Sequence, residues 1–261
     1  MSAADGAVAG TGEMVAALVG LREALEGVSL PLDLPDAEQS RTARKEMVDQ
    51  LENYVLPRLD QIEAPLLTVV GGSTGAGKST LVNSLVGRQV SAPGVLRPTT
   101  RSPVLVHNPA DLDWFDKARI LPGLARTTRA TGDPGALQLV AEPQVPEGLA
   151  ILDAPDIDSV EERNRTLATE LLAAADLWLF VTSAARYADQ VPWGFLKAAA
   201  ERSTAVAVVL DRTAPDAVAE VSGHLARMLT AQGLRESPLF TVTESEVSDA
   251  GLLAPQEVAE V

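Results

Sequence analysis

The stretch Gly71-Gly72-Ser73-Thr74-Gly75-Ala76-Gly77-Lys78-Ser79-Thr80 constrains this chain more than any other. From Gly72 to Ser79 it reads G-x-x-x-x-G-K-S, the pattern of a loop that cradles phosphate. Its glycines let the backbone take turns that a β-carbon blocks, so consecutive N–H groups can converge on phosphate oxygens. Lys78 supplies a point charge for β- and γ-phosphates, and the Ser79 hydroxyl is placed to ligate Mg²⁺. Such a loop needs a buried strand before it and a helix after it. Pro65-Leu66-Leu67-Thr68-Val69-Val70 is the short apolar run of a buried parallel strand. Leu81, Val82, Leu85 and Val86 recur at helical spacing, which sets the positive end of a helix dipole under the anion. The stretch is a nucleotide phosphate site.

The remainder of the chain supports a sheet around that loop. Strands are predicted over 102–107, 148–152, 177–182, 205–210 and 238–242. Helices are predicted from a Ser159/Glu162 capping box to about Ala175, then over 191–201 and 215–232. That alternation predicts an α/β fold, a doubly wound and mostly parallel sheet that binds ligands at the carboxyl ends of its strands. Residues 108–147 read as a mixed insertion with a small hairpin around Leu137–Glu142. Residues 63–245 form the nucleotide domain in this reading.

Ahead of it, residues 1–12 read as a disordered leader and 13–62 as a helical hairpin, either a lid packed on the nucleotide domain or part of a bundle completed outside this chain. Met14, Leu18, Leu21, Leu25 and Val28 form one apolar seam, broken by Pro31 and Pro35. A second helix starts near Asp36, carries Val48, Leu51, Val55, Leu59 and Ile62 on its apolar face, and meets Pro57. Residues 246–261 read as the opening of a further helix after Pro255, so the chain is expected to be a fragment of a longer protein.

Composition excludes several classes of function. Aromatic residues make up 3% of the chain, so Val, Leu, Ile and Ala must build the core. A formal net charge of −15 argues against non-specific nucleic-acid binding and against adhesion to anionic lipid. There is no cysteine for disulfides or thiolate metal sites. Met1–Gly12 lacks the basic n-region of a signal peptide, and Glu170 and Asp176 interrupt the best membrane candidate, residues 167–185. The chain is cytoplasmic in character.

Asp153 closes a buried strand downstream of Lys78, where a P-loop protein holds its second Mg²⁺ residue. The P-loop and its continuation Leu81-Val82-Asn83-Ser84-Leu85, then Thr100-Arg101-Ser102-Pro103, then Asp153-Ala154-Pro155-Asp156, resemble in order the GTPase domain of bacterial dynamin-like proteins. The likeness lies within the translation-factor-like class of P-loop GTPases and covers residues 38–245. It implies a Mg²⁺-dependent enzyme that binds GTP as substrate, hydrolyses the β–γ phosphoanhydride and yields GDP as product. Gly72, Ser73, Thr74, Gly75, Ala76, Gly77, Lys78, Ser79 and Thr80 would hold the phosphates. Lys78, Thr100 and Asp153 would serve catalysis, and Ser79, Thr100 and Asp153 would hold the metal. Thr100 would be the switch threonine, with Thr99 as substitute. Self-association through this domain is also implied, with membrane contact only through regions outside the chain.

Two departures from the family pattern stand out. Where D-x-x-G ends in glycine, this chain has Asp156, a carboxylate that phosphate repels unless it faces away or meets a cation. Ile157 follows in place of a water-positioning glutamine. The base-reading N/T-K-x-D is replaced by Asp211-Arg212-Thr213-Ala214, so the aspartate that selects guanine is missing from its slot. Arg212 can lay its plane on the base, and Asp211, Asp216 or Thr213 can offer a substitute acceptor. Two alternatives stay open beside the GTPase: a nucleotide-binding scaffold with little turnover, and an ATPase.

Overall fold

The computed structural model describes residues 3–32, 37–51, 56, 64–92, 102–116, 120–159, 161–201 and 204–261, with backbone alone at 3–13, 46, 49, 50 and 201. They form two compact units, Met1–Ala64 and Pro65–Val261.

In the first unit, α1 (Ala3–Gly27) packs against α2 (Ala37–Gln50). The helix begins at Ala3, so residues 3–12 are helical where a disordered leader is expected from sequence. Two arginines of α2 finish the end of α1. Arg44 Nη1 donates to Val28 O at 2.6 Å, and Arg41 Nε and Nη2 donate to Leu30 O at 3.1 and 2.9 Å. These cationic donors tie the chain just past the end of α1 back to α2. Leu18 and Leu25 are half-buried, while Met14 and Leu21 stay 46% and 48% exposed. Val55, Pro57, Leu59 and Ile62 lie outside the described residues.

The second unit is built on one sheet of eight strands. They are β1 (Leu66–Gly72), β2 (Val104–His107), β3 (Ala125–Thr127), β4 (Ala136–Ala141), β5 (Leu149–Asp153), β6 (Leu177–Ser183), β7 (Ala205–Thr213) and β8 (Leu239–Thr243). Their spatial order is β3-β4-β2-β5-β1-β6-β7-β8. Every pairing is parallel except β2 with β5. The doubly wound α/β architecture read from the alternating pattern is the one adopted. Between the strands run α3 (Lys78–Val86), α4 (Leu112–Asp116), α5 (Glu162–Ala173), α6 (Gln190–Glu201) and α7 (Val218–Ala231).

Three local expectations differ. Residues 137–142 make no hairpin: β4 pairs in parallel with β2, from Val104↔Gln138 to His107↔Ala141, and with β3 on its other side. The chain crosses over through Pro109–Asp111 and α4 before β3, and a crossover produces parallel neighbours. Ser159 is not the N-cap of α5, because that place falls to Glu161; Ser159 Oγ instead accepts from Glu161 N at 3.3 Å. After Pro255 the chain makes one 3₁₀ turn, Pro255–Glu257, rather than opening an α-helix. Leu253 and Val258 on either side of it are buried in the core, and packing there outweighs local propensity.

The two faces of the sheet are covered unequally. One carries α4, α5, α6 and α7 over two apolar clusters. The other carries α3 and the segment around Leu253 and Val258. On this second face the amino-terminal halves of the central strands line an apolar groove of about 810 Å³, with Leu66, Leu149, Ile151, Leu177 and Phe240 in its wall. At the carboxyl ends of the same strands lie the P-loop, Asp153 and Asp211.

Candidate functional site

β1 delivers the P-loop between β5 and β6, at the centre of the sheet. Its last residue, Gly72, has φ +151°, and a β-carbon there would stand 2.0 Å from Val181 O of β6. Only glycine lets the loop leave the sheet at this point. Gly77, with φ +100°, stands at the N-terminus of α3, and a β-carbon on it would meet Asp211 Oδ2 at 1.9 Å. Lys78 and Ser79 open the helix, so both stand in its first turn, at the positive end of its dipole.

Lys78 Nζ donates to Gly72 O at 3.0 Å, Ser73 O at 2.9 Å and Asp156 Oδ1 at 2.5 Å. Both side chains of this ion pair are 5% exposed. The carboxylate standing in the expected glycine's place therefore meets a cation, and that cation is the P-loop lysine. Ile157 is fully buried among α5, α6 and α7, and its N–H reaches Gly72 O at 3.4 Å. A core side chain occupies the place of the water-positioning glutamine.

Asp153, at the end of β5, is wholly buried. Its Oδ2 accepts from Ser79 Oγ and from Ser91 Oγ, each at 2.6 Å. Its Oδ1 has no hydrogen-bond partner among the described residues. Burial pushes this carboxyl above the usual range, against the lowering effect of the two serine hydroxyls and of Lys78. A buried carboxylate with one oxygen free, tied to the P-loop serine by the other, suits a divalent cation that binds through oxygen and keeps waters of its own. Ser91 escapes sequence reasoning. It is held by Asn83 of α3, whose Oδ1 accepts from Val90 N and Ser91 N at 2.8 and 2.9 Å. Nothing in the spacing of Asn83 and Ser91 announces a link to Asp153. Thr100, with Thr99 and Arg101, lies outside the described residues.

Two further residues steady the loop. Asp158 Oδ1 accepts from Thr74 N at 2.7 Å and Thr74 Oγ1 at 2.8 Å, while its Oδ2 pairs with Arg186 Nη1 at 3.0 Å. Asp153, Asp156 and Asp158 thus engage different partners, and no group of three acidic or histidine side chains among the described residues is arranged to hold a metal.

At the far side of the P-loop, β7 carries an irregularity between Leu210 and Thr213 in its pairing with β8. Arg212 sits in it with φ +52°, a conformation that L-residues rarely adopt. The bend turns the arginine back over the loop, where Nη1 meets Gly75 O at 3.3 Å. Asp211 Oδ1 accepts from Arg212 N at 2.8 Å, and Oδ2 packs on Gly77. Burial raises the Asp211 carboxyl to about 6, against the lowering effects of the Arg212 N–H and guanidinium. Asp211 and Arg212 therefore brace the P-loop from the side of the expected base. Glu244 N donates to Thr213 O at 3.0 Å, joining the loop after β8 to the one after β7. Asp216 is exposed in the turn before α7.

A strand, glycine loop and helix at the centre of a parallel sheet, with Asp153 beside the P-loop serine, define the fold of a P-loop GTPase domain. A chain of an oligomerised bacterial dynamin pair, concerned with long-range sensing and tethering of membranes, is similar over 94% of this chain and 47% of its own, with TM-score 0.51 and 14% identity. Aquifex aeolicus Era bound to GDP·AlF4⁻ is similar over 68% of this chain and 50% of its own, with TM-score 0.45 and 18% identity. In sequence, the probable transmembrane GTPase FZO-like, chloroplastic, of Arabidopsis thaliana is 22% identical over 216 residues. That match takes in 79% of this chain and 22% of the plant protein, so the chain spans less than a quarter of its curated relative. No family model matches the chain.

Proposed function

We propose that residues 65–245 form a guanine-nucleotide site that binds GTP with Mg²⁺ and hydrolyses its β–γ phosphoanhydride, as the GTPase domain of a dynamin-like protein. The observation that carries this reading is the Ser79–Asp153 contact at the head of the P-loop, with the second Asp153 oxygen left free. Bound Mg²⁺ would neutralise charge on the phosphate oxygens. Ser79 Oγ and the free Asp153 oxygen are the groups that would hold it, with Thr100 as a third. Backbone N–H groups of 73–80 bind the phosphate chain, and Lys78 stabilises charge at the β- and γ-positions. Arg212 and Asp211 would border the base.

Guanine is the preferred base in this reading, by a narrower margin than in GTPases with an aspartate in place of Ala214. The acceptor for the N1–H and exocyclic amine of guanine is lost there, which weakens discrimination by roughly ten- to hundredfold. Competition of GTP and ATP for one labelled guanine nucleotide tests this. GTP should displace the label at lower concentration; equal or stronger displacement by ATP refutes it and favours the ATPase. Phosphate release, measured with and without Mg²⁺ across protein concentrations, tests turnover and the self-association that would accelerate it. A second reading, a nucleotide-binding scaffold with little turnover, is favoured by the Lys78–Asp156 ion pair and the burial of Ile157; phosphate release absent at every concentration would select it. No described helix is long and apolar enough to cross a membrane. The acidic net charge of −15 disfavours adhesion of this region to anionic lipid.

A further inference from the structure

We propose that Asp156 sets the choice between phosphate-chain lengths, so that this site holds a nucleoside diphosphate more tightly than the matching triphosphate. The inference rests on the reading of residues 72–79 as a nucleotide site. An ammonium has three N–H donors, and Lys78 has directed all three: to Gly72 O, Ser73 O and Asp156 Oδ1. A diphosphate needs one of these directions and can take it from a neutral carbonyl, leaving the charged pair intact. A triphosphate needs a second, and the carboxylate already occupies it.

The terminal phosphoryl group therefore meets a second anion within hydrogen-bond reach of the same ammonium, in a place where water screens little. The Lys78 and Asp156 side chains are each only 5% exposed. Retreat of Asp156 is hindered by its neighbours. Ala154 N donates to Val70 O at 3.2 Å and Ile157 N to Gly72 O at 3.4 Å, while the Ile157 side chain is locked in the core. A glycine at the same position would present only a backbone N–H and would favour the longer chain. The same geometry makes the product of hydrolysis slow to leave.

The test is calorimetric titration of the whole chain with GDP and with a non-hydrolysable GTP analogue, both in excess Mg²⁺, repeated with ADP and the matching ATP analogue. The parent should bind GDP at least about tenfold more tightly than the triphosphate analogue. Asp156→Asn keeps the shape and removes the charge. It should narrow the ratio to about threefold or less, chiefly by tightening the triphosphate, and Asp156→Gly should do the same. Equal affinities in the parent, a tighter triphosphate, or an unchanged ratio in Asp156→Asn overturns the inference. Diphosphate preference confined to the adenine pair supports it while overturning the guanine assignment. Binding of neither pair overturns the nucleotide site and the inference with it.

Discussion

At the scale of single residues, the buried charges decide the character of the site. Lys78 is read from sequence as a charge serving only phosphates, yet it is also half of an ion pair that lies almost wholly out of water. Lys78→Ala should therefore abolish nucleotide binding and also destabilise the domain by about 3 kcal/mol, because it breaks a buried ion pair by removing one of its members. The double variant with Asp156→Ala should recover most of that stability and none of the binding. Urea unfolding measures the first effect; a Lys78→Ala domain as stable as the parent would show that Asp156 is not held by the pair. Asp211 gives a pH dependence. Its carboxyl titrates at about 6 in the folded chain against an ordinary value of 3.8, so between those values the folded state binds the extra proton. Its contribution to stability is present below about 4 and is lost as pH rises through about 6, a change of about 3 kcal/mol. Asp211→Asn lacks this titration and should be more stable than the parent at pH 7, with the advantage fading by pH 4. Unfolding free energies compared across that range check it, and a pH-independent difference refutes it.

At the scale of elements, β1 shows how one strand serves two surroundings. Leu67 is 1% exposed under α5, while its neighbour Leu66 is 44% exposed at the rim of the groove. Alternation along the strand sends them to opposite faces, and only one face is covered at that end. Leu67→Ser should cost about 3 kcal/mol or more, whereas Leu66→Ser should cost less than about 1 kcal/mol. Thermal unfolding of the two variants separates them, and similar losses would mean that the groove is filled in solution. The irregularity in β7 is the other instructive element. A strand of regular register would carry Arg212 away from the P-loop, and the residue at φ +52° returns it to Gly75. Local strain is here coupled to the placement of a functional side chain.

At the scale of the whole molecule, the sheet places Asp153 and Asp211, two acidic neighbours of the P-loop, at the carboxyl ends of strands that are distant in sequence. Asp153 arrives on β5 and Asp211 on β7, on either side of β1 and β6. The mostly parallel order produces this convergence, since parallel strands end at one edge and gather their outgoing loops there. The amino-terminal edge shares the same strands and gathers none of these groups; it lines the groove instead.

The sequence by itself determined what depends on a few adjacent residues. The phosphate loop, the apolar run before it, the helix after it and the alternation of strands and helices are legible because glycine placement and apolar period act over one or two turns of chain. The same local reading marked Asp156 and Asp211-Arg212 as departures. Only the tertiary structure decided what those departures do, since a carboxylate's effect depends on the group that faces it. Asp156 faces Lys78, Asp153 shares one oxygen between Ser79 and Ser91, and Asp158 ties Thr74 to Arg186. The parallel pairing of β3 and β4 was likewise beyond local signals, as was the 3₁₀ turn at Pro255–Glu257. Strand partners are chosen by which edge remains open after the crossover, and chain ends take the form that fills the core, so neither outcome is encoded in the segment alone.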